Sequence, residues 1–143
     1  MKLYFDTAYV AKCYLNEPDA AQVRRLARSA DGLFSSIWCI AELACVFQRH
    51  IREGSLSAKH AATARTLFQG DVRDGVWMLF PVSERLLRRV ESLVASIPPT
   101  LYLRAGDALH LVSALEGGFS ELWTSDRHLL NAAPHFGLTA RSV

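Results

Sequence analysis

Four acidic residues stand at positions where an ordinary soluble domain has little use for a negative charge. Asp107 lies in the middle of RAGDALHLVSAL (residues 104–115), a stretch that is apolar over most of the helix it predicts. Glu42 interrupts a second apolar helical run, WCIAELACVF. Asp6 and Asp126 each stand at the end of a short apolar segment that predicts a β-strand. We call these residues the four acids, and we asked what chemistry they would support together.

The combination would suit metal-assisted hydrolysis of a phosphodiester. Four carboxylates gathered in one pocket would repel one another, and desolvation would raise their pKa values. A hard divalent cation such as Mg²⁺, or Mn²⁺ in its place, relieves this repulsion because it prefers oxygen ligands. Water activated by such a cation attacks phosphorus without needing a 2′-hydroxyl nucleophile. We therefore expect products with a 5′-phosphate and a free 3′-hydroxyl.

Taken singly, each acid also has a plain structural role. Asp6 and Asp126 can cap the helices that follow them. Asp107 can pair with Arg104, three residues earlier, on a narrow solvent-facing stripe. Glu42 can begin a solvent-facing side of its own helix. These roles remain open for each residue alone, and only the four acids together favour a metal site.

Other catalytic patterns are missing from the sequence. The five histidines show neither HxH nor HExxH spacing, which argues against zinc. The sequence has no GxSxG elbow and no P-loop. A phosphohydrolase that uses Asp6 as its nucleophile usually carries a second acid two positions on, where Ala8 stands here. A small-molecule phosphohydrolase therefore remains an alternative that Ala8 disfavours.

Composition is that of a globular domain with a sizeable core. The chain has 143 residues, of which 50% are hydrophobic and 21% charged, and we expect a single domain over residues 1–143. Thirteen of the 16 cationic residues are arginine. If the four acids share one pocket, the remaining surface is basic enough to attract a polyanion. Codon usage in a GC-rich genome is the alternative explanation for the excess of arginine.

The cysteines and the apolar runs predict a cytoplasmic protein. Three cysteines, Cys13, Cys39 and Cys45, form no CxxC pair, and we expect reduced and mostly buried thiols. The apolar runs are too short to cross a membrane, and the first residues do not resemble a signal peptide.

Strand and helix patterns alternate along the chain. The strand patterns cover residues 2–5, 33–35, 76–82, 121–126 and 137–143. This alternation predicts an α/β fold, an α/β/α sandwich with a central, mostly parallel sheet. In such sheets the site usually lies at the carboxyl ends of the strands, where Asp6 and Asp126 stand.

Taken as whole motifs, the chain resembles a PIN-domain protein and, more closely, the toxin half of a VapBC-type toxin–antitoxin pair. The likeness is carried by YFDTAYVAKCYLNEP, SSIWCIAELACVFQR, RAGDALHLVSAL and LWTSDRHLLNAAPHFGL, in this order over nearly the whole chain. The resemblance implies an α/β/α fold with a central parallel sheet. It also implies a Mg²⁺- or Mn²⁺-dependent endoribonuclease that cuts single-stranded regions of RNA.

The resemblance also assigns roles to particular residues. It implies that Asp6, Glu42, Asp107 and Asp126 are the catalytic, metal-binding acids, with Asp6 and Asp107 as direct ligands. Glu42 and Asp126 would bind directly, through water or at a second metal. Thr124 matches a hydroxyl position of the last motif and would orient a water or an acid.

Partners follow from the same resemblance, which implies a homodimer and a small antitoxin whose C-terminal segment covers the cleft. Apolar side chains of the first half would form either a groove for that segment or the domain's own core: Tyr9, Tyr14, Trp38 and Phe47. Side chains close to the motifs would steer or contact the RNA, or shape the rim: Lys12, Arg104, His110 and Arg127. One departure is Ala8, where many relatives carry a serine, so one hydrogen bond near the first acid is in doubt.

Two further functions remain open. A housekeeping PIN nuclease in RNA maturation would use the same four acids without being toxic. A non-catalytic PIN-like module would bind RNA or protein, although a pure RNA binder gains nothing from four clustered negative charges.

Overall fold

The computed structural model describes residues 1–143, in which helices and strands alternate. The strands are β1 (Lys2–Tyr4), β2 (Gly32–Ser36), β3 (Trp77–Phe80), β4 (Glu121–Trp123) and β5 (Thr139–Arg141). The helices are α1 (Thr7–Tyr14), α2 (Ala20–Arg28), α3 (Cys39–Arg52), α4 (Ala58–Arg73), α5 (Glu84–Ala95), α6 (Ala105–Glu116) and α7 (Arg127–Ala132), and a 3₁₀ turn (Ala133–Phe136) follows α7. None of these helices combines the length and apolar character needed to span a bilayer.

Every strand pair is parallel. β2 lies between β1 and β3, while β4 pairs with β5 in a second small sheet. A single parallel bridge between Phe5 and Trp123 joins the two sheets. The strand order across this junction is therefore β3-β2-β1-β4-β5, which confirms the predicted central parallel sheet.

Helices cover both faces of this sheet because neighbouring side chains of β1 point in opposite directions. Leu3 and Phe5 belong to one apolar core, and Tyr4 belongs to the other. The first core draws on α1 to α4 through buried residues such as Val10, Val23, Phe47 and Phe68. The second draws on α5 to α7 through residues such as Leu86, Leu111, Leu129 and Leu122 of β4. The predicted α/β/α sandwich is confirmed.

The strand order reverses at β1. From β1 the chain builds outward through β2 and β3, and it later returns to place β4 on the other side of β1. Open α/β sheets bind ligands at such a switch point, beyond the carboxyl ends of the strands. Here the backbone N–H of Asp6 donates to the carbonyl of Trp123 at 3.1 Å. This bond holds the carboxyl ends of β1 and β4 together, at the positions of Asp6 and Thr124.

Four strands, β1, β3, β4 and β5, are shorter than their predicted patterns, and the ends of β3 and β4 bear on the site. β3 ends at Phe80 because Pro81 has no N–H to donate to a neighbouring strand. β4 ends at Trp123, and the next three residues turn away to begin α7. The turn places Asp126 beyond the sheet, on the same side as Asp6.

Candidate active site

Asp6 lies at the junction between β1 and α1. Its Oδ1 accepts a hydrogen bond from the backbone N–H of Tyr9 at 3.0 Å, which makes Asp6 the N-cap of α1. Its Oδ2 accepts a hydrogen bond from the hydroxyl of Thr124 at 2.5 Å. Only 3% of the residue is exposed. The helix cap expected from sequence is therefore present, and the same carboxylate also borders the cleft described below.

Burial makes Asp6 an unusual carboxyl group. Desolvation raises its pKa from 3.8 to about 6, although the charge of His110 and the hydroxyl of Thr124 act in the opposite direction. The negative charge of Asp126 adds to the increase. Asp6 is thus a carboxyl group whose negative charge is poorly compensated by its surroundings.

Glu42 lies in the first turn of α3 and faces α1 and α6. Its Oε1 accepts a hydrogen bond from the hydroxyl of Thr7 at 2.7 Å and lies 2.7 Å from Nε2 of His110. Burial raises the pKa of Glu42, but the hydrogen bond and charge of His110, the hydroxyl of Thr7 and the charge of Arg104 together outweigh burial and lower that pKa. Glu42 is therefore held ionised in a fixed orientation.

His110 is a buried residue of the site, and it does not shape the rim. Only 2% of it is exposed, and a carboxylate can only accept, so its Nε2 donates to Glu42. Its Nδ1 lies 3.1 Å from the hydroxyl of Tyr4. The chain Tyr4–His110–Glu42 connects the second core to the site. In the sequence, the position of His110 three residues after Asp107, on the same face of the helix, is the signal that His110 belongs to the site.

Asp107 and Asp126 share one cation. Nε of Arg104 donates to Oδ2 of Asp107 at 3.2 Å, and a terminal nitrogen of the same guanidinium donates to Oδ2 of Asp126 at 3.2 Å. Asp126 also caps α7, because its Oδ1 accepts from the backbone N–H of His128 at 2.7 Å. The ion pair expected for Asp107 is thus present, although Asp107 itself is buried.

All four acids line one cleft of about 770 Å³. Three arginines also line it: Arg49, Arg52 and Arg104. Neither Lys12 nor Arg127 does. The ammonium group of Lys12 instead donates to the carbonyl of Pro18 at 2.6 Å, so its predicted role at the rim was wrong.

The four acids do not form a closed metal cage in this arrangement. No three acidic, histidine or cysteine side chains stand close enough together to hold an ion. Asp107 and Asp126 are instead paired with Arg104, and Glu42 with His110 and Thr7. The donors nonetheless suit a hard divalent cation, because they are carboxylates on one cleft and one of them is buried with a raised pKa.

The apolar residues named from the sequence divide between core and surface. Tyr9 and Phe47 are buried in the first core, and Tyr14 packs against it. Trp38 is exposed and lines the cleft. The thiols also divide: Cys39 is buried, Cys13 is partly buried and Cys45 is exposed, so the expectation of mostly buried thiols was wrong for Cys45.

The amino-acid sequence identifies the class of protein to which this fold belongs. A family model of the PIN domain matches residues 3–134, and the chain belongs to this family. No curated protein matches the chain by sequence.

Two solved structures are similar to the chain over almost their whole length. One is VapBC2 from Rickettsia felis, bound to a DNA fragment from its promoter, with 15% identity, a TM-score of 0.68, and 99% of this chain and 98% of that chain covered. The other is the Sarcin–Ricin loop cleaving toxin VapC20 from Mycobacterium tuberculosis, with 15% identity, a TM-score of 0.67, and 91% and 94% covered. At this identity the likeness establishes a shared fold.

Proposed function

We propose that this chain is a divalent-metal-dependent endoribonuclease that cuts single-stranded regions of RNA and acts as the toxin of a toxin–antitoxin pair. Asp6, Glu42, Asp107 and Asp126 hold the metal ion, which is Mg²⁺ with Mn²⁺ as a substitute. Asp6 and Asp107 are its direct ligands. When bound, such a cation would offset the charge of these carboxylates and supply a water of lowered pKa for attack on phosphorus.

One observation carries the proposal: four acids from remote parts of the sequence line a single cleft at the switch point of the sheet. One of them, Asp6, is almost fully buried, so its negative charge is costly without a cation. A structural role alone does not explain why four carboxylates are placed on one concave surface. Similar folds in VapBC2 and in the Sarcin–Ricin loop cleaving toxin VapC20 support the same function.

The chain's own residues have distinct tasks in this reaction. Thr124 holds the carboxylate of Asp6, and His110 with Thr7 holds that of Glu42. Arg49 and Arg52 give the mouth of the acidic cleft a positive charge that attracts phosphate groups. Glu42 or Asp126 positions the attacking water.

The test is cleavage of RNA by the purified chain in Mg²⁺ or Mn²⁺ and in EDTA. We expect cleavage only with the metal, products with 5′-phosphate ends, and loss of cleavage in Asp107→Asn. Glu91→Gln, on the exposed face of α5, removes a carboxylate far from the cleft and should cleave normally. Unchanged cleavage in EDTA or in Asp107→Asn would rule out the proposal.

Toxicity separates the toxin from a housekeeping nuclease with the same site. We expect induction of the chain alone to arrest growth, and induction of Asp107→Asn to leave growth unaffected. Co-expression of a small protein encoded beside it should relieve the arrest, because such an antitoxin covers the cleft. Sequencing of RNA ends after brief induction would identify the RNA that is cut. Tolerated expression with active cleavage in vitro would favour RNA maturation.

The remaining parts of the proposal concern assembly and location. The chain forms a homodimer in the cytoplasm, where its thiols stay reduced. Light scattering of the purified protein tests the dimer directly. A non-catalytic binding module is favoured if the chain binds RNA but does not cleave it in Mn²⁺, and if Asp107→Asn leaves that binding unchanged.

A further inference from the structure

Trp38 is a large aromatic residue that the fold leaves in solvent beside the four acids. It is 43% exposed and lines the cleft, whereas Trp77 is buried in the first core. Single exposed apolar side chains are common on protein surfaces. Exposure alone therefore assigns no role, and the surroundings of the indole have to be considered.

The indole of Trp38 and the carboxylate of Glu42 both lie close to Gly106, in the first turn of α6. A Cβ atom placed on Gly106 would lie 3.4 Å from Nε1 of Trp38 and 2.9 Å from Oε2 of Glu42. The missing side chain at position 106 leaves room for both groups at the beginning of the helix that carries Asp107. A ligand that covers the indole is therefore also in contact with the acidic cleft.

A second exposed aromatic ring borders another of the four acids. Tyr102 is 56% exposed, and its ring centroid lies 4.2 Å from that of His128. The backbone N–H of His128 donates to Asp126, and Arg104 pairs with the same carboxylate. The ring of Tyr102 thus packs on one side against the imidazole of His128, at the first turn of the helix that Asp126 caps, and remains open to solvent.

Positive charges that are free to bind phosphate accompany these rings. Arg49 and Arg52 line the cleft together with Trp38, and neither takes part in an ion pair. Aromatic rings for bases and guanidinium groups for phosphates are the two elements of single-strand recognition. The cleft offers the indole of Trp38 and both guanidinium groups next to the carboxylates, whereas Tyr102 lies outside the lining of the cleft.

We propose that Trp38 and Tyr102 are stacking platforms for two bases of a single-stranded RNA whose backbone crosses the four acids. The inference rests on the proposed function and adds the reason why the substrate must be unpaired. A base can stack on a side chain only after it has left its own helix, so a duplex cannot use either platform. Stacking accepts every base, so the platforms select strand state and not sequence.

Binding measurements on the full-length chain test this inference directly. The Asp107→Asn background prevents cleavage, and the probe is a fluorescein-labelled, unstructured RNA of roughly ten nucleotides at fixed salt. Three partners are compared: this RNA, its duplex, and an RNA of the same length with abasic residues. The abasic strand keeps the phosphates and removes what the platforms would hold.

We expect Trp38→Ala and Tyr102→Ala each to weaken binding of the single strand about 5- to 100-fold, the range for one lost stacking contact. Trp38→Phe should retain most of the affinity. The abasic strand should bind all these variants equally, because only its phosphates remain. Leu67→Ala is the control, since Leu67 is 58% exposed on α4, a helix that carries none of the four acids and contributes no residue to the cleft.

A readout without substitution accompanies these variants. Trp38 is the most exposed tryptophan, so binding of the single strand should quench the intrinsic fluorescence, and the abasic strand should not. Equal loss of affinity for the base-containing and abasic strands would overturn the inference, as would unchanged binding in both alanine variants. Unchanged RNA binding together with lost binding of a protein partner would assign the rings to a protein interface and overturn it as well.

Failure of the inference and failure of the proposed function give different results. If the unmodified chain cleaves RNA with Mn²⁺ and the alanine variants bind and cleave as it does, only the platforms are refuted. If the unmodified chain binds single strands through both rings but never cleaves them, the nuclease is refuted and the platforms stand. Absence of both binding and cleavage refutes both.

Discussion

Arg104 and Asp107 form an ion pair across the first turn of α6, with 3.2 Å between Nε and Oδ2. The same guanidinium also pairs with Asp126 at 3.2 Å. These contacts raise the pKa of Arg104, and Asp107 contributes most to the increase. Two of the four acids therefore already have a cationic partner within the chain.

On the proposed function, a divalent cation would have to compete with Arg104 for these carboxylates. Arg104→Gln removes this competitor and should therefore bind Mn²⁺ more tightly. The gain should be only about 3- to 10-fold, because ion pairs of exposed arginines are individually weak. Isothermal titration of the RNA-free protein measures the change. Arg49→Gln removes the same charge from the same cleft without touching an acid. Equal tightening in both variants would attribute the effect to overall charge and contradict competition by the ion pair.

The raised pKa of Asp6 predicts how stability varies with pH. The folded protein holds this proton up to a pKa of about 6, whereas the unfolded chain releases it near 3.8. The folded state is therefore favoured at low pH and loses this contribution as pH rises toward 6. At about 1.4 kcal/mol per pKa unit, the loss reaches about 3 kcal/mol at neutral pH.

Asp6→Asn removes this dependence. In EDTA, the free energy of unfolding of the variant relative to the natural sequence should increase between pH 4 and 7 and stay constant above, by up to about 3 kcal/mol. Urea denaturation at several pH values measures the difference, and the contributions of other carboxyl groups cancel in it. A difference that does not change with pH would show that burial of Asp6 has no such cost.

Gly106→Ala should separate stability from metal binding. Alanine favours a helix over glycine by roughly 0.5–1 kcal/mol, but its Cβ would lie 2.9 Å from Oε2 of Glu42. Thr7 and His110 both contact Oε1 of Glu42 and leave Oε2 without a hydrogen bond, so Oε2 can turn aside while the helix stays. We expect an unchanged or higher melting temperature and about 10-fold weaker Mn²⁺ binding.

Gly70→Ala is the matched control for this substitution. Gly70 lies inside α4, where a Cβ would contact only the side chain of Arg73 at 3.6 Å. It should gain similar stability and keep the metal affinity of the natural sequence. Normal Mn²⁺ binding by Gly106→Ala would mean that the position of Glu42 does not matter for the metal.

Thr124→Val tests how Asp6 is held. The hydroxyl of Thr124 donates to Asp6 and accepts from the backbone N–H of Asp126 at 2.9 Å. Because the first of these bonds lowers the pKa of Asp6, its loss should raise that pKa and move the midpoint of metal binding to higher pH. The unsatisfied N–H should cost about 1–3 kcal/mol of stability.

The serine variant supplies the comparison, since it keeps the hydroxyl and changes only a methyl group. Titrations of Mn²⁺ affinity against pH should give the natural midpoint for Thr124→Ser and a higher one for Thr124→Val. The same midpoint in both variants would assign Thr124 a structural role only.

Helices and strands were predicted correctly from the sequence wherever the spacing of apolar residues fitted only one kind of secondary structure. α1 follows from the spacing of Tyr9, Val10 and Cys13, and the parallel sheet follows from alternating helices and strands. The alternatives weighed for single acids turned out to coexist. Asp6 caps a helix and also borders the cleft, and Asp107 pairs with Arg104 although it is buried.

Contacts across the fold were beyond the sequence. The pair of Glu42 and His110 joins residues 68 positions apart, and it depends on how α3 packs beside α6. Lys12 was misplaced because a helical position does not reveal that a long side chain reaches back to the carbonyl of Pro18. Arg49 lies two helical turns after Glu42 on the same face, a spacing that does predict a shared cleft.

The seam between β1 and β4 also determines when the site is completed. A nascent chain presents Asp6 early in synthesis, but Thr124, its partner 118 residues later, leaves the ribosome near the end. Until β4 and β5 dock beside β1, the first acid lacks its hydroxyl donor and the last acid is not in place. Closing such a long loop is a slow, late step. A growing polypeptide that has not yet added β4 therefore carries Asp6, Glu42 and Asp107 without Asp126, so the set of four acids is the last part of the fold to be completed.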